Sequence, residues 1–210
     1  PLIIRFNDIL KDRITELNNS FCQAIETYNY KNIYQGVFPI KCNQQKNVLE
    51  KIIEYGDPWN FGLEVGSKSE LLIGLSILEN QKSLLICNGY KDKKYIETAI
   101  LARKLGKQPI IVIEQRDEVQ RIIEAVKDLK ATPILGIRSK LSSKSSGRWG
   151  KSVGDNSKFG LSIPEIMQTI KELKEANLIN EMKLLHFHVG SQISDISVSY
   201  THLRAHETLV

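Results

Sequence analysis

The stretch SLLICNGYKDKKYIETAILARKLGKQPIIVIE, residues 83–114, decides the fold. Near its two ends, Leu84-Leu85-Ile86 and Ile110-Ile111-Val112-Ile113 are apolar at every position, as parallel strands must be when helices cover them. Between them Asp92–Leu105 has helical periodicity. An aspartate opens it at the positive end of the helix dipole, and Gly106 follows where a left-handed stop is wanted. Strand, helix and strand recurring about every 25 residues make a parallel crossover unit. The same alternation runs outward in both directions. β-rich runs at Ile33–Ile40, Trp59–Val65, Ser83–Cys87, Pro109–Glu114, Pro133–Arg138 and Lys183–Val189 alternate with helix-period stretches at Asp8–Tyr28, Gln45–Tyr55, Lys68–Glu79, Asp92–Leu105, Asp117–Leu129 and Pro164–Ala176. Ser67-Lys68-Ser69-Glu70 reads as a capping box at the third of these helices. Even spacing predicts a (β/α)₈ barrel over a doubly wound sheet, and no G-x-G-x-x-G supports a dinucleotide fold. The expected class is therefore α/β, a partial (β/α)₈ TIM barrel truncated before closure. An unpaired sheet edge and poor stability of the isolated piece follow from that expectation.

At 210 residues, 41% hydrophobic and 25% charged, the composition is that of an ordinary globular protein rather than a disordered or fibrous one. A net charge of +5 raises the question of nucleic acid. The lysines, however, are scattered through helical segments instead of clustered, apart from one loop. Cys22, Cys42 and Cys87 form no C-x-x-C pair and leave one thiol over, which favours a reducing cytoplasm to a disulfide framework. No signal peptide and no long apolar span is evident, so no membrane role is expected. The chain opens on Pro1 without a methionine, which predicts a segment of something longer.

Chemistry gathers at one end of the strands. Lys41 ends the run Gly36-Val37-Phe38-Pro39-Ile40-Lys41-Cys42-Asn43, and Leu184-Leu185-His186-Phe187-His188-Val189-Gly190-Ser191 ends in histidine, glycine and serine. Lys41, Asn88, Arg138 and His188 each fall at or just past the carboxyl end of a different strand, the end that forms the active face of a barrel. His186 and His188 share one face of their strand, which predicts a polar face inside an apolar barrel. An amine, a flat imidazole and a Gly-Ser turn together suit an aldehyde cofactor that carries a phosphate. A lone lysine with its stem along apolar neighbours, or a lone core histidine, is the bland alternative for each residue taken singly.

Other motifs in the chain carry less. Gly150-Lys151-Ser152 resembles the end of a phosphate loop, but Ser145 stands where that pattern requires glycine. Gly147-Arg148-Trp149-Gly150 matches the short G-x-x-G of an RNA-clamping loop. The Ser139–Lys158 segment that holds both reads as an active-site lid or a crossing loop. His186-x-His188 has the spacing of a first metal pair, yet the other histidines, His202 and His206, lie in the tail 199–210, and no metal ligands are assigned.

Five segments then carry a resemblance: Tyr34–Gln44, Gly62–Leu71, Cys87–Asp92, Ser157–Leu161 and Leu184–Gln192 resemble the biosynthetic arginine decarboxylases, in order and in register from Pro1 to about Val198. That family belongs to the pyridoxal-phosphate enzymes with an alanine-racemase-type barrel. The resemblance implies a carboxy-lyase that converts L-arginine to agmatine and CO₂ in putrescine and spermidine biosynthesis. Lys41 and His188 would be catalytic. Lys41 would hold pyridoxal phosphate as an internal imine, exchange it for arginine's α-amine, and carry protons at the α-carbon. His188 would stack on the ring, Ser191 would meet the phosphate, and Arg138 would lie near the phenolic oxygen. Glu64 and Asn88, with His186 and Lys158, would line the same region. The resemblance also brings Mg²⁺ as a cofactor candidate, L-arginine as small-molecule partner, a homo-oligomer at full length, and no nucleic acid or membrane.

The departures concern what the family has and this sequence does not. A downstream glycine-rich phosphate loop is expected, and no Gly-Gly pair occurs in the chain. The acid for the pyridine nitrogen and the guanidinium-recognising groups are missing with it. Residues 1–198 are read as a partial pyridoxal-phosphate-binding barrel, and 199–210 as a tail that ceases to resemble the family. The isolated segment is accordingly expected to be inactive. Two alternatives stay open. One is a decarboxylase of another basic amino acid (ornithine, lysine or diaminopimelate) on the same barrel; the other is a basic RNA-binding module using the Ser139–Lys158 loop.

Overall fold

Each apolar run becomes a strand, and each periodic stretch becomes the helix that covers it. A computed structural model describes residues 4–140 and 158–188. In chain order they form α1 (Asn7–Thr27), β1 (Val37–Pro39), α2 (Lys46–Gly56), β2 (Gly62–Val65), α3 (Lys68–Ile77), β3 (Leu84–Cys87), α4 (Lys93–Lys104), β4 (Gln108–Ile113), α5 (Asp117–Leu129), β5 (Ile134–Ser139), α6 (Ile163–Glu175) and β6 (Met182–Phe187). The strands follow one another in sheet order β1-β2-β3-β4-β5-β6. The pairs β1–β2, β2–β3, β3–β4 and β5–β6 are parallel, as the crossover spacing requires. The expected α/β class and partial parallel barrel are what the chain forms. The chain divides into two compact units, Pro1–Ile111 with Ala125–Ile134, and Val112–Glu124 with Leu135–Val210.

In the first unit the helix-facing side of the sheet is closed. Leu63, Val65, Leu85 and Cys87 are fully buried, and a side chain at Gly74 of α3 would strike Leu85 and Val65. α1 and α2 pack over β1 around Ile14, Ile52 and Phe61, flanked by Leu10, Phe38, Val48, Tyr55 and Trp59. Helix ends follow their sequence signals. The Ser67 side chain accepts the Glu70 N–H, but the Glu70 carboxylate reaches Gly66 N–H at 2.7 Å, one residue further back than in a standard capping box. Asp92 caps α4 through the Tyr95 N–H at 2.8 Å, and Gly106 ends that helix at φ +83°.

In the second unit, Ser162 and Glu165 form the capping box of α6. Arg116, at the entry to α5, donates to Thr169 at 2.6 Å and pairs with Glu172, which fixes α6 to that end of α5.

Two expectations are corrected. The run Ile33–Ile40 yields only Val37–Pro39 as strand, because pairing with β2 begins at Val37, while Ile33 remains 76% exposed and Pro39 has no N–H to extend the ladder. The polar face expected on the last strand is not a clean one: β6 ends at Phe187, Leu184 shares the half-buried side with His186, and apolar Leu185 is 48% exposed. Among the described residues β6 has a strand neighbour on the β5 side alone, which leaves its outer positions uncovered. The Gly147–Gly150 and Gly150–Ser152 motifs, Ser191 and the tail 199–210 lie outside the described residues.

Candidate active site at the carboxyl ends of the strands

Lys41 owes its position to its neighbours. Pro39 closes β1, and Ile40 turns inward with no exposed surface, a burial that contributes roughly 2 kcal/mol. Ile40–Cys42 then form one 3₁₀ turn, closed by Asn43 N–H donating to the Ile40 carbonyl at 3.1 Å. The Asn43 side chain accepts from Gln45 N–H at 3.0 Å and leads into α2. Lys41 is thereby held exposed on a stiff turn between two anchored elements. Among the described residues its Nζ has no hydrogen-bond or ion-pair partner, which leaves the amine available as a nucleophile.

Register places two further candidates beside this turn. Pro39 is level with Glu64, and Glu64 with Ile86, so Lys41 and Asn88 both lie two residues beyond one row of the sheet. Glu64 and Asn88 are buried, at 8% and 9% exposure, and Asn88 Nδ2 donates to Glu64 Oε1 at 3.0 Å. Among the described residues Glu64 Oε2 and Asn88 Oδ1 have no partner. Two buried acceptors side by side call for a donor, which a ligand nitrogen or a cationic amine supplies. The loop that carries Asn88 is tightly built. Its N–H donates to the Val65 carbonyl at 2.8 Å, and Tyr95 OH, itself buried, donates toward the Val65 carbonyl at 3.1 Å. Gly89 follows at φ +75°, where a Cβ would sit 2.2 Å from the Gly66 carbonyl oxygen. Lys91 is fully buried and donates to the Gly89 carbonyl at 2.5 Å. Behind this loop burial pushes the Cys87 thiol up to about 12, so it stays protonated and inert.

In the second unit Arg138 lies near the end of β5, level with His186 of β6. Its guanidinium Nη1 donates to Glu114 at 2.5 Å, and the Glu114 side chain has no exposed surface. The Glu114 N–H donates to Glu118 at 2.9 Å, and its carbonyl accepts Gly160 N–H at 3.0 Å. Gly160, at φ +97°, brings the 158–160 segment against Arg138. Leu161 N–H donates to the Arg138 carbonyl at 2.8 Å. His188 follows directly after β6 and is exposed, and Lys158 is exposed as well.

Sequence reasoning passed over Glu114 and Lys91. Glu114 follows Ile110–Ile113 as Lys41 follows its own apolar run, a signal that points to it; nothing local marks Lys91 as buried. Among the described residues no cluster of three or more histidine, cysteine or acidic side chains could hold a metal.

The residues of each unit, taken separately, have chemistry that suits pyridoxal phosphate. A free lysine amine suits its aldehyde, a guanidinium with donors to spare suits its anionic oxygens, and the unpartnered acceptors of Glu64 and Asn88 suit a protonated nitrogen. The family described as pyridoxal-dependent decarboxylase, pyridoxal binding domain, matches residues 14–210. The biosynthetic arginine decarboxylase of Prochlorococcus marinus subsp. pastoris is 94% identical over 198 residues, which cover 94% of this chain and 31% of that protein. The crystal structure of the biosynthetic arginine decarboxylase from Campylobacter jejuni superposes with a TM-score of 0.86 at 30% identity, over 96% of this chain and 32% of that one. Diaminopimelate decarboxylase from Helicobacter pylori, complexed with L-lysine, shares the fold at a TM-score of 0.68 and 19% identity, over 95% of this chain and 48% of that one. The chain thus spans about a third of the length of the arginine decarboxylases it matches. With the parallel sheet, the lysine turn and the family match in agreement, the chain belongs to the pyridoxal-dependent decarboxylases and carries their pyridoxal-binding domain.

Proposed function

We propose that the complete protein to which this domain belongs is an arginine decarboxylase, which releases CO₂ from L-arginine to leave agmatine for putrescine and spermidine formation. The observation that carries the reading is Lys41, without a partner among the described residues, in a chain 94% identical over 198 residues to a biosynthetic arginine decarboxylase. When bound, pyridoxal phosphate supplies an electron sink for the pair left behind as CO₂ departs. Lys41 Nζ would hold the cofactor's aldehyde covalently, give way to the α-amine of arginine, and, once released and protonated, return a proton to the α-carbon. Arg138 would fix an anionic oxygen of the cofactor, and Glu64 with Asn88 would take a hydrogen-bond donor through their two open acceptors. His188 would lie flat against the ring and Ser191 would bind the phosphate. A homo-oligomeric, cytoplasmic enzyme with a Mg²⁺ dependence completes the proposal. No helix among the described residues is long and apolar enough to cross a membrane.

The test joins this chain to the remaining length of its Prochlorococcus relative and offers the completed protein arginine, ornithine, lysine and diaminopimelate in competition. Agmatine as the dominant product is expected. A preference for another of the four amino acids would transfer the chain to the alternative decarboxylase reading.

A further inference from the structure

Glu114 stands outside the site as the sequence outlines it, yet it is the side chain that governs Arg138. Its own placement is over-determined. The backbone N–H is held by Glu118, the carbonyl by Gly160, and the side chain is fully buried. Glu118, also fully buried, accepts the N–H groups of both Glu114 and Gln115 at the entry to α5, so the carboxylate of Glu114 projects from a fixed backbone. Arg138 is the flexible partner: a long side chain, 15% exposed, whose guanidinium donates to Glu114 alone among the described residues. A guanidinium carries five donors in a rigid fork, so one occupied by Glu114 orients the others.

We infer that Glu114 is a positioning residue, whose carboxylate holds the Arg138 guanidinium in one orientation and so raises the affinity of the site for an anionic oxygen of the cofactor. The inference deepens the proposed function and rests on the reading of Arg138 as a cofactor contact. Orientation, and not charge, is the effect expected to win. A negative neighbour weakens a cation's pull on an anion, whereas an unanchored arginine must lose its rotamer freedom each time it binds.

The test measures pyridoxal phosphate binding by absorbance titration, without turnover, in the chain completed with its relative's remaining length. Glu114→Ala is expected to weaken binding about tenfold, the loss of one charge-assisted hydrogen bond. Glu114→Gln keeps an acceptor in place and should recover most of that loss. In an Arg138→Ala background, Glu114→Ala should change affinity by less than about twofold, because the group it positions is gone. Equal effects in both backgrounds, or a folded Glu114→Gln no better than Glu114→Ala, would overturn the inference. If Glu114→Ala does not fold, Glu114→Asp, which retracts the carboxylate by one methylene, runs the same cycle with the same expected sign. Borohydride reduction of the Lys41–cofactor linkage separates the two levels. A linkage that survives Lys41→Ala defeats the proposed function, whereas an intact linkage with an additive cycle defeats the role of Glu114 alone.

Discussion

Glu64 and Glu114 are both buried carboxylates near the carboxyl ends of parallel strands, and they are satisfied in opposite ways. Glu114 faces a guanidinium at 2.5 Å, and its backbone is tied on both sides. Among the described residues Glu64 has only the amide of Asn88, at 3.0 Å, and keeps one oxygen without a partner. A buried acid paired with a cation completes a piece of structure; one left with an open oxygen costs desolvation that its own surroundings do not offset. The difference separates them: Glu114 is satisfied within the resting protein, whereas Glu64, on the function proposed above, would complete its hydrogen bonding with a bound group. Lys41, like Glu64 Oε2, has no partner among the described residues.

The largest effect tests that assignment directly. In the completed protein Lys41→Ala should abolish the borohydride-trappable linkage. It should also lower agmatine production by more than the 10²–10⁴-fold, roughly, that a positioned proton-transfer group contributes. The neighbouring Cys42→Ala should retain both. Equal retention in the two variants would remove Lys41 from the chemistry.

Stability should separate the two carboxylates next. Arg138→Ala removes the cation paired with the buried Glu114 carboxylate and is expected to destabilise the completed apo-protein by about 3 kcal/mol, read as a lowered thermal midpoint. Glu64→Gln preserves an acceptor for Asn88 and should change stability by less than about 1 kcal/mol while weakening cofactor binding. A comparable loss of stability in both would mean that Glu64 belongs to the structure and not to the bound group. Gly89→Ala tests the frame behind Asn88. A Cβ at φ +75°, 2.2 Å from the Gly66 oxygen, should cost about 2–4 kcal/mol and weaken the cofactor as well. A variant of unchanged stability would show that the loop is not clamped.

The smallest effect concerns Cys87. Its thiol is raised by burial to about 12 in the folded chain, above the ordinary range near 8.5 in the unfolded one. The native state therefore keeps its proton while the unfolded state loses it. The contribution to stability is complete below the unfolded value and is lost as pH rises from there toward 12, with a slope of about 1.4 kcal/mol per pH unit. A Cys87→Ala variant should lack that alkaline decline. Iodoacetamide at mildly alkaline pH should label Cys22 and Cys42, both exposed, and spare Cys87 until the chain unfolds. Prompt labelling of Cys87 would contradict its burial.

Much of this was legible in the linear chain. The runs Leu84–Ile86 and Ile110–Ile113 are apolar at successive positions, and only a strand covered by helices accommodates that; the caps at Ser67, Asp92 and Gly106 are local chemistry between near neighbours. Lys41 was visible for the same reason, since Pro39 and the buried Ile40 dictate a turn within three residues of it. The edges of the outer strands were less legible, because whether Ile33 or Leu185 is covered depends on what lies beside it, not on its own type.

What the sequence by itself determined is the order of strands and helices and the presence of an amine at a strand end, because periodicity, capping and turn chemistry act over a few residues. Only the tertiary structure decided that Glu114 meets Arg138 24 positions away, that Asn88 spends its amide on Glu64, and that Lys91 is fully buried. Those are contacts between neighbouring strands or between a loop and the core. Their energies depend on register and on removal from water, neither of which a residue's type or its immediate neighbours contain.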